Sequence, residues 1–120
     1  MIKTTLNSIV KAKTALAKLA DKDLPVMQSY NIAKIIRQAD IALLPFEDAR
    51  IRLCEKYGTL DDSKSQYRIN PADNSAFQQD MNELLSQTVE IEAEKIKVTE
   101  NVTLSAKDII DLEDFLLLVG

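Results

Sequence analysis

Three features of the sequence predict an α+β fold. Apolar residues recur at three and four over residues 8–57, the period of packed helices. The stretch 88–99 switches to a period of two, the mark of a half-buried strand. Two further helical repeats flank that stretch. With 120 residues, 46% of them hydrophobic, the chain is long enough for one core, so a single domain over residues 1–120 is expected. The predicted arrangement is an N-terminal helical hairpin with a long Pro-kinked second helix, a small antiparallel sheet and two shorter helices.

Met1–Thr5 reads as a short strand. Asn7 or Ser8 is placed to cap a first helix through about Ala20, with Ile9, Ala12, Leu16 and Leu19 on its inner face. Lys3, Lys11, Lys13 and Lys18, with no acid before residue 21, give this segment the charge of a targeting helix. Lys11 and Lys13 interrupt its apolar run, however, so a packed amphipathic helix is expected. Asp23 is placed to cap the second helix, with Pro25 in its first turn. That helix is expected to reach Tyr57. Ile32, Ala39, Phe46 and Leu53 fall seven apart, and Ile35, Ala42 and Ala49 fill the companion positions of a heptad-like seam. Pro45 predicts a kink over 41–45. The run from Ile41 to Phe46 is apolar on nearly every side, which implies burial on every side, and a second copy of the chain is the expected cover.

Gly58 stands at the end of this helix, the usual place for a terminating glycine. Residues 59–73 form a polar connector in which Gln66–Ile69 reads as a short strand. Asp73 or Asn74 begins a third helix through about Gln87, with Phe77, Met81, Leu84 and Leu85 on one face. In the period-two stretch Val89, Ile91 and Ala93 alternate with Glu90, Glu92 and Glu94, while Ile96 and Val98 continue on the opposite parity. The slip predicts a bulge or bend at Glu94–Lys95, with Met1–Thr5 as the strand that completes the sheet. Ser105 and Asp108 resemble a capping box, with Leu104 and Ile109 as its staple. The helix they start is expected to bury Ile109, Leu112, Phe115, Leu116 and Val119.

The missing residue types narrow the chemistry. The chain has no His, no Trp, one Cys and two Gly. His-based triads and most zinc sites are ruled out, and glycine-rich phosphate loops nearly so. Cys54, alone, forms no intrachain disulfide and lacks a histidine base, so an inert, partly buried thiol in a reducing cytosol is expected. Glu90, Glu92 and Glu94 read as the wet face of a strand, and Asp61-Asp62-Ser63 as a turn, not as metal sites. No cofactor and no membrane span are expected, and the chain reads as a non-enzyme.

The net charge of −4 conceals a split. Residues 1–57 carry ten basic and six acidic residues (+4), and residues 58–120 carry five and thirteen (−8). The acidic total argues against general nucleic-acid binding. The basic half points instead to an anionic ligand or an acidic partner, unless the two halves simply lie against each other. Tyr30, Lys34 and Arg37 share one face of the second helix, and Arg50, Arg52, Lys56 and Tyr57 follow near the connector with Tyr67 and Arg68. Guanidinium, ammonium and aromatic groups together suit recognition of phosphates or carboxylates. Glu47, Asp48 and Glu55 stand close enough to pair with these cations, so a merely solvated, ion-paired face is the competing reading.

The run Leu24-Pro25, Tyr30, Ile32-Ala33-Lys34, Phe46-Glu47-Asp48-Ala49-Arg50, Leu53 and Glu55-Lys56-Tyr57-Gly58 resembles a family of small uncharacterised proteins. These are encoded by tailed phages and prophages of Gram-positive bacteria and form a domain of unknown function. Met81-Asn82-Glu83-Leu84-Leu85, Val89-Glu90-Ile91 and Leu104-Ser105-Ala106-Lys107-Asp108 carry the resemblance further. Lys107 and Ile35 depart from its pattern, which has proline and a polar residue there. The resemblance implies phage origin and expression in the host cytoplasm, and no mechanism. Two functions are therefore expected to compete. One is a binding protein that engages a host protein or an anionic small molecule, plausible as counter-defence. The other is a structural or assembly factor for the virion or its tail.

Overall fold

The computed structural model describes residues 1–61, 66–100 and 102–118. Its elements run β1 (Ile2–Thr5), α1 (Leu6–Ala20), α2 (Val26–Tyr57), β2 (Gly58–Asp61), β3 (Gln66–Ile69), a 3₁₀ turn (Pro71–Asp73), α3 (Asn74–Leu85), β4 (Thr88–Ile91), β5 (Ile96–Val98), α4 (Ala106–Asp111) and β6 (Leu116–Leu118). The fold is α+β, as the periodicities predict. The turn at Asp62–Ser63 and the inward position of Val119 lie outside the described residues.

The hairpin of α1 and α2 builds most of the core. Ile9, Ala12, Leu16 and Leu19 are buried on α1, and Ile32, Ile35, Ala39, Leu43 and Phe46 on α2. Both helices start differently from expectation. Thr5, not Asn7 or Ser8, caps α1, its Oγ1 accepting from the Ser8 amide at 3.2 Å. Strand β1 thus passes into α1 with no loop between, and the last strand residue serves as the cap. Helix α2 starts behind Pro25, with Asp23 outside it and no side-chain cap. The Pro25 carbonyl accepts from the Gln28 and Ser29 amides, and water can reach the remaining amides beside exposed Val26 and Met27.

Helix α2 runs unbroken through Pro45. The proline removes the bond that the Ile41 carbonyl would accept, but both residues are exposed, so solvent can take its place. The apolar run here is not buried all round within one chain. Leu43 and Phe46 face the core, whereas Ile41 is 59% and Leu44 64% exposed.

Gly58 ends α2 in an extended conformation and opens β2, whose antiparallel partner β3 is the connector strand. A methyl group at Gly58 would lie 2.7 Å from the Cys54 carbonyl oxygen and 2.8 Å from that of Arg68. Close approach of two backbones, not a left-handed turn, requires glycine here. Helix α3 packs on the far part of α2 with Phe77, Met81, Leu84 and Leu85 half-buried.

The expected single sheet is instead three strand pairs among the described residues: β1 with β4, β2 with β3, and β5 with β6, the last parallel. Ile2 faces Ile91 across the first pair, and Ile96 faces Leu116 across the third. The expected bend divides the strands, but it lies at Glu92–Ala93, two residues before the parity slip at Glu94–Lys95. The chain turns at Glu92, where the Ala93 amide reaches the Ile91 carbonyl at 2.9 Å, and β5 leaves in a new direction.

The terminal helix is a second correction. Ser105 caps it as expected, accepting from the Asp108 amide at 3.1 Å, but α4 stops at Asp111. Leu112 and Phe115 are buried in the following turn, and Leu116 in β6, while Ile109 is partly exposed. Phe115 to Leu118 is a continuous apolar run, which suits a strand that pairs with β5 better than a one-sided helix. Asp108 is 7% exposed and bridges to Lys18 of α1 at 3.2 Å. Burial acts to raise its carboxyl pKa, but hydrogen bonds from Lys18 and Ser105 outweigh this and hold it below the ordinary carboxylate range. Thr4, also buried, donates to Asp114 at 2.8 Å, so the N-terminal strand and the C-terminal segment are tied.

Candidate binding groove

The first half of α2 crosses over the segment that joins β4 to β5. Two amide side chains of the helix hold that segment. Gln38 donates from Nε2 to the Glu92 carbonyl at 3.0 Å and accepts the Glu92 amide at Oε1 at 2.7 Å. Asn31 donates to the Glu94 carbonyl at 2.8 Å. The turned segment has no ladder partner of its own, so these bonds replace the missing sheet contacts. The sequence reading missed this role. The available signal was two amides seven apart, flanking the apolar seam.

Fixing residues 92–94 places Lys95 and Lys97 opposite Tyr30 and Lys34. The groove between them has a volume of about 430 Å³. Met27, 71% exposed, and Ile96 supply apolar wall, and Glu94 the one acidic side chain of the lining. Three ammonium groups against one carboxylate give the groove a charge of +2 within a chain of −4. The Lys34 ammonium lies 5.7 Å from the centroid of the Tyr30 ring, a cation–π distance. Lys95 and Lys97 come from the acidic half of the chain, so charge counting by halves could not find them.

The other expected site residues lie elsewhere. Arg37 borders a separate groove on the other flank of α2, with Asp40, Ile36 and Leu19. Arg50 lies about 30 Å along the helix from Tyr30, at 1.5 Å per residue, and is held by Glu47 at 3.0 Å. Tyr57 donates to Asp80 at 2.7 Å and meets Phe77 edge to face, anchoring α3 to α2. Lys56 sits 4.9 Å over the Tyr57 ring, and its hydrogen bond to the Tyr57 hydroxyl holds its pKa above the usual lysine value. Tyr67 donates to Glu55 at 3.3 Å; partial burial, then the Glu55 charge, push its hydroxyl pKa up. Arg52 is exposed and makes no ion pair among the described residues. The structure therefore brings Tyr30 and Lys34 together, puts Arg37 across the helix, and leaves Arg50, Lys56 and Tyr57 in contacts within the fold.

Cys54 is a buried free thiol. Glu90, Glu92 and Glu94 are exposed, and among the described residues no group of three or more acidic or thiol side chains is arranged to hold a metal ion. No helix among the described residues is long and apolar enough to cross a membrane. The chain matches no family model, no curated protein and no solved structure.

Proposed function

We propose that this is a non-enzymatic binding protein whose groove between α2 and residues 94–97 takes an anionic ligand, either a small molecule or an acidic segment of a host protein. The concentration of Lys34, Lys95 and Lys97 around the Tyr30 ring supports this reading. Each lysine can give a charge-assisted hydrogen bond to a phosphate or carboxylate, and the ring offers a flat apolar face to the remainder of the ligand. With the phage origin that the sequence resemblance implies, such binding would act in the host cytoplasm, as counter-defence by sequestration or by blocking a host protein.

Calorimetric titration with inorganic phosphate, nucleotides and an acidic peptide tests the proposal. One of these is expected to bind, and Lys34→Ala or Lys97→Ala to weaken it about tenfold each through loss of one charged hydrogen bond. No binding to any of the three, or equal binding by the variants, would remove the groove from consideration. The exposed apolar side chains Ile41 and Leu44 favour a second reading, an assembly factor of the virion or tail. Mass spectrometry of purified virions distinguishes the two, since a structural component is present there in stoichiometric amount.

A further inference from the structure

Helix α2 carries a second stripe, on its solvent-exposed face away from the buried Ile32, Ile35, Ala39, Leu43 and Phe46, with Arg37 and Ile41 at its near end bordering the groove beside Leu19 and Ala20 of α1. Arg37, Ile41, Leu44, Asp48, Ile51 and Glu55 follow one another at four, three, four, three and four residues, and all six are exposed. That alternation keeps side chains on one seam of a helix. Ile41, Leu44 and Ile51 are 59%, 64% and 40% exposed, a large apolar surface for a chain of this size. The stripe is about 27 Å long at 1.5 Å per residue, a substantial part of the molecule's 51 Å length.

The charges at its two ends select the occupant. Arg37 closes one end and Glu55 the other. A second copy lying parallel would put Arg37 on Arg37 and Glu55 on Glu55. A second copy lying antiparallel, with residue i opposite residue 92 − i, puts Arg37 opposite Glu55 and Ile41 opposite Ile51, each pair twice by two-fold symmetry. Leu44 then falls beside Asp48 of the other copy, so two carboxylates face leucines across the seam, at some cost in stability. Among the described residues Arg37 makes no ion pair, so it is available for this one. We infer that this face of α2 is the interface of a two-fold homodimer in which the α2 helices pack antiparallel, centred near Phe46. The inference is independent of the groove and stands if no anion binds there.

Sedimentation of the full chain tests it. Wild type is expected to sediment as a dimer of two 13.5 kDa chains across the micromolar range. Leu44→Asp, at an exposed position, is expected to give a monomer with an unchanged circular dichroism spectrum. Arg37→Glu and Glu55→Arg each create two like-charge contacts and are expected to weaken the dimer about tenfold. The double variant Arg37→Glu/Glu55→Arg restores opposite charges and is expected to regain wild-type affinity. A monomeric wild type, or a Leu44→Asp protein that still dimerises, overturns the interface. A double variant no tighter than the single ones overturns the antiparallel register.

Discussion

Replacing Gly58 with alanine sets two effects of opposite sign against each other. Alanine restricts the unfolded chain, and where the native backbone suits it this stabilises by about 0.4–1 kcal/mol. Gly58 has φ of −130°, an ordinary extended value, so that gain is available. The added methyl, however, would lie 2.7 Å from the Cys54 oxygen and 2.8 Å from the Arg68 oxygen. Both are backbone atoms, one in the last turn of α2 and one in β3, and neither can rotate away as the nearby Ile69 methyl can. Relief requires the hairpin to move off the helix, and overpacking of this kind costs about 1–3 kcal/mol. The clash wins, for a net loss of about 1–2 kcal/mol and a fall in Tm of roughly 4–8 °C in a chain this long. Thermal and urea unfolding followed by circular dichroism read this directly. A Gly58→Ala protein as stable as wild type, or more so, would refute the claim that the β2–β3 hairpin rests on backbone contact at this residue.

Other perturbations follow the same logic. Ile35 is fully buried between α1 and α2, so Ile35→Ala is expected to cost about 3 kcal/mol in urea unfolding. Gln38→Glu keeps the acceptor for the Glu92 amide but sets a carboxylate against the Glu92 carbonyl. A loss of about 1–2 kcal/mol is expected, with faster hydrogen exchange at residues 92–94 than at Ile35. Asp108 has a folded pKa below its unfolded value, so it stabilises the fold above the ordinary carboxylate range, and this contribution is lost as pH falls through the folded pKa. Asp108→Asn is therefore expected to be less stable than wild type at neutral pH and to show a shallower loss on acidification. Parallel acid limbs in the two proteins would contradict that assignment.

The helical hairpin was legible because its burial is one-sided and long. Ile9, Leu16, Ile32, Ala39 and Phe46 repeat with the helical period over many turns, and each is buried. Short elements gave less signal. The run from Phe115 to Leu118 is apolar without a period, so its strand conformation depends on β5, a partner distant in sequence. The observed caps, Thr5 and Pro25, lie two or three residues from the positions that propensity favoured. At the groove, Tyr30 and Lys34 could be found from helix spacing alone. Lys95 and Lys97 could not, since the turn at Glu92 and the amides of Asn31 and Gln38 bring them there. For Arg50 the competing reading from spacing holds, since Glu47 pairs with it three residues away, whereas Asp80, which holds Tyr57, is 23 residues distant and beyond the reach of helix spacing.

The most direct test of the proposed binding role is amide chemical-shift mapping during titration with inorganic phosphate and then a nucleoside triphosphate. Saturable shifts confined to residues 27–34 and 94–97 are expected, abolished together by a Lys34→Ala/Lys97→Ala variant that retains the wild-type spectrum elsewhere. Shifts centred on residues 50–57, or no saturable shift with either ligand, would contradict it.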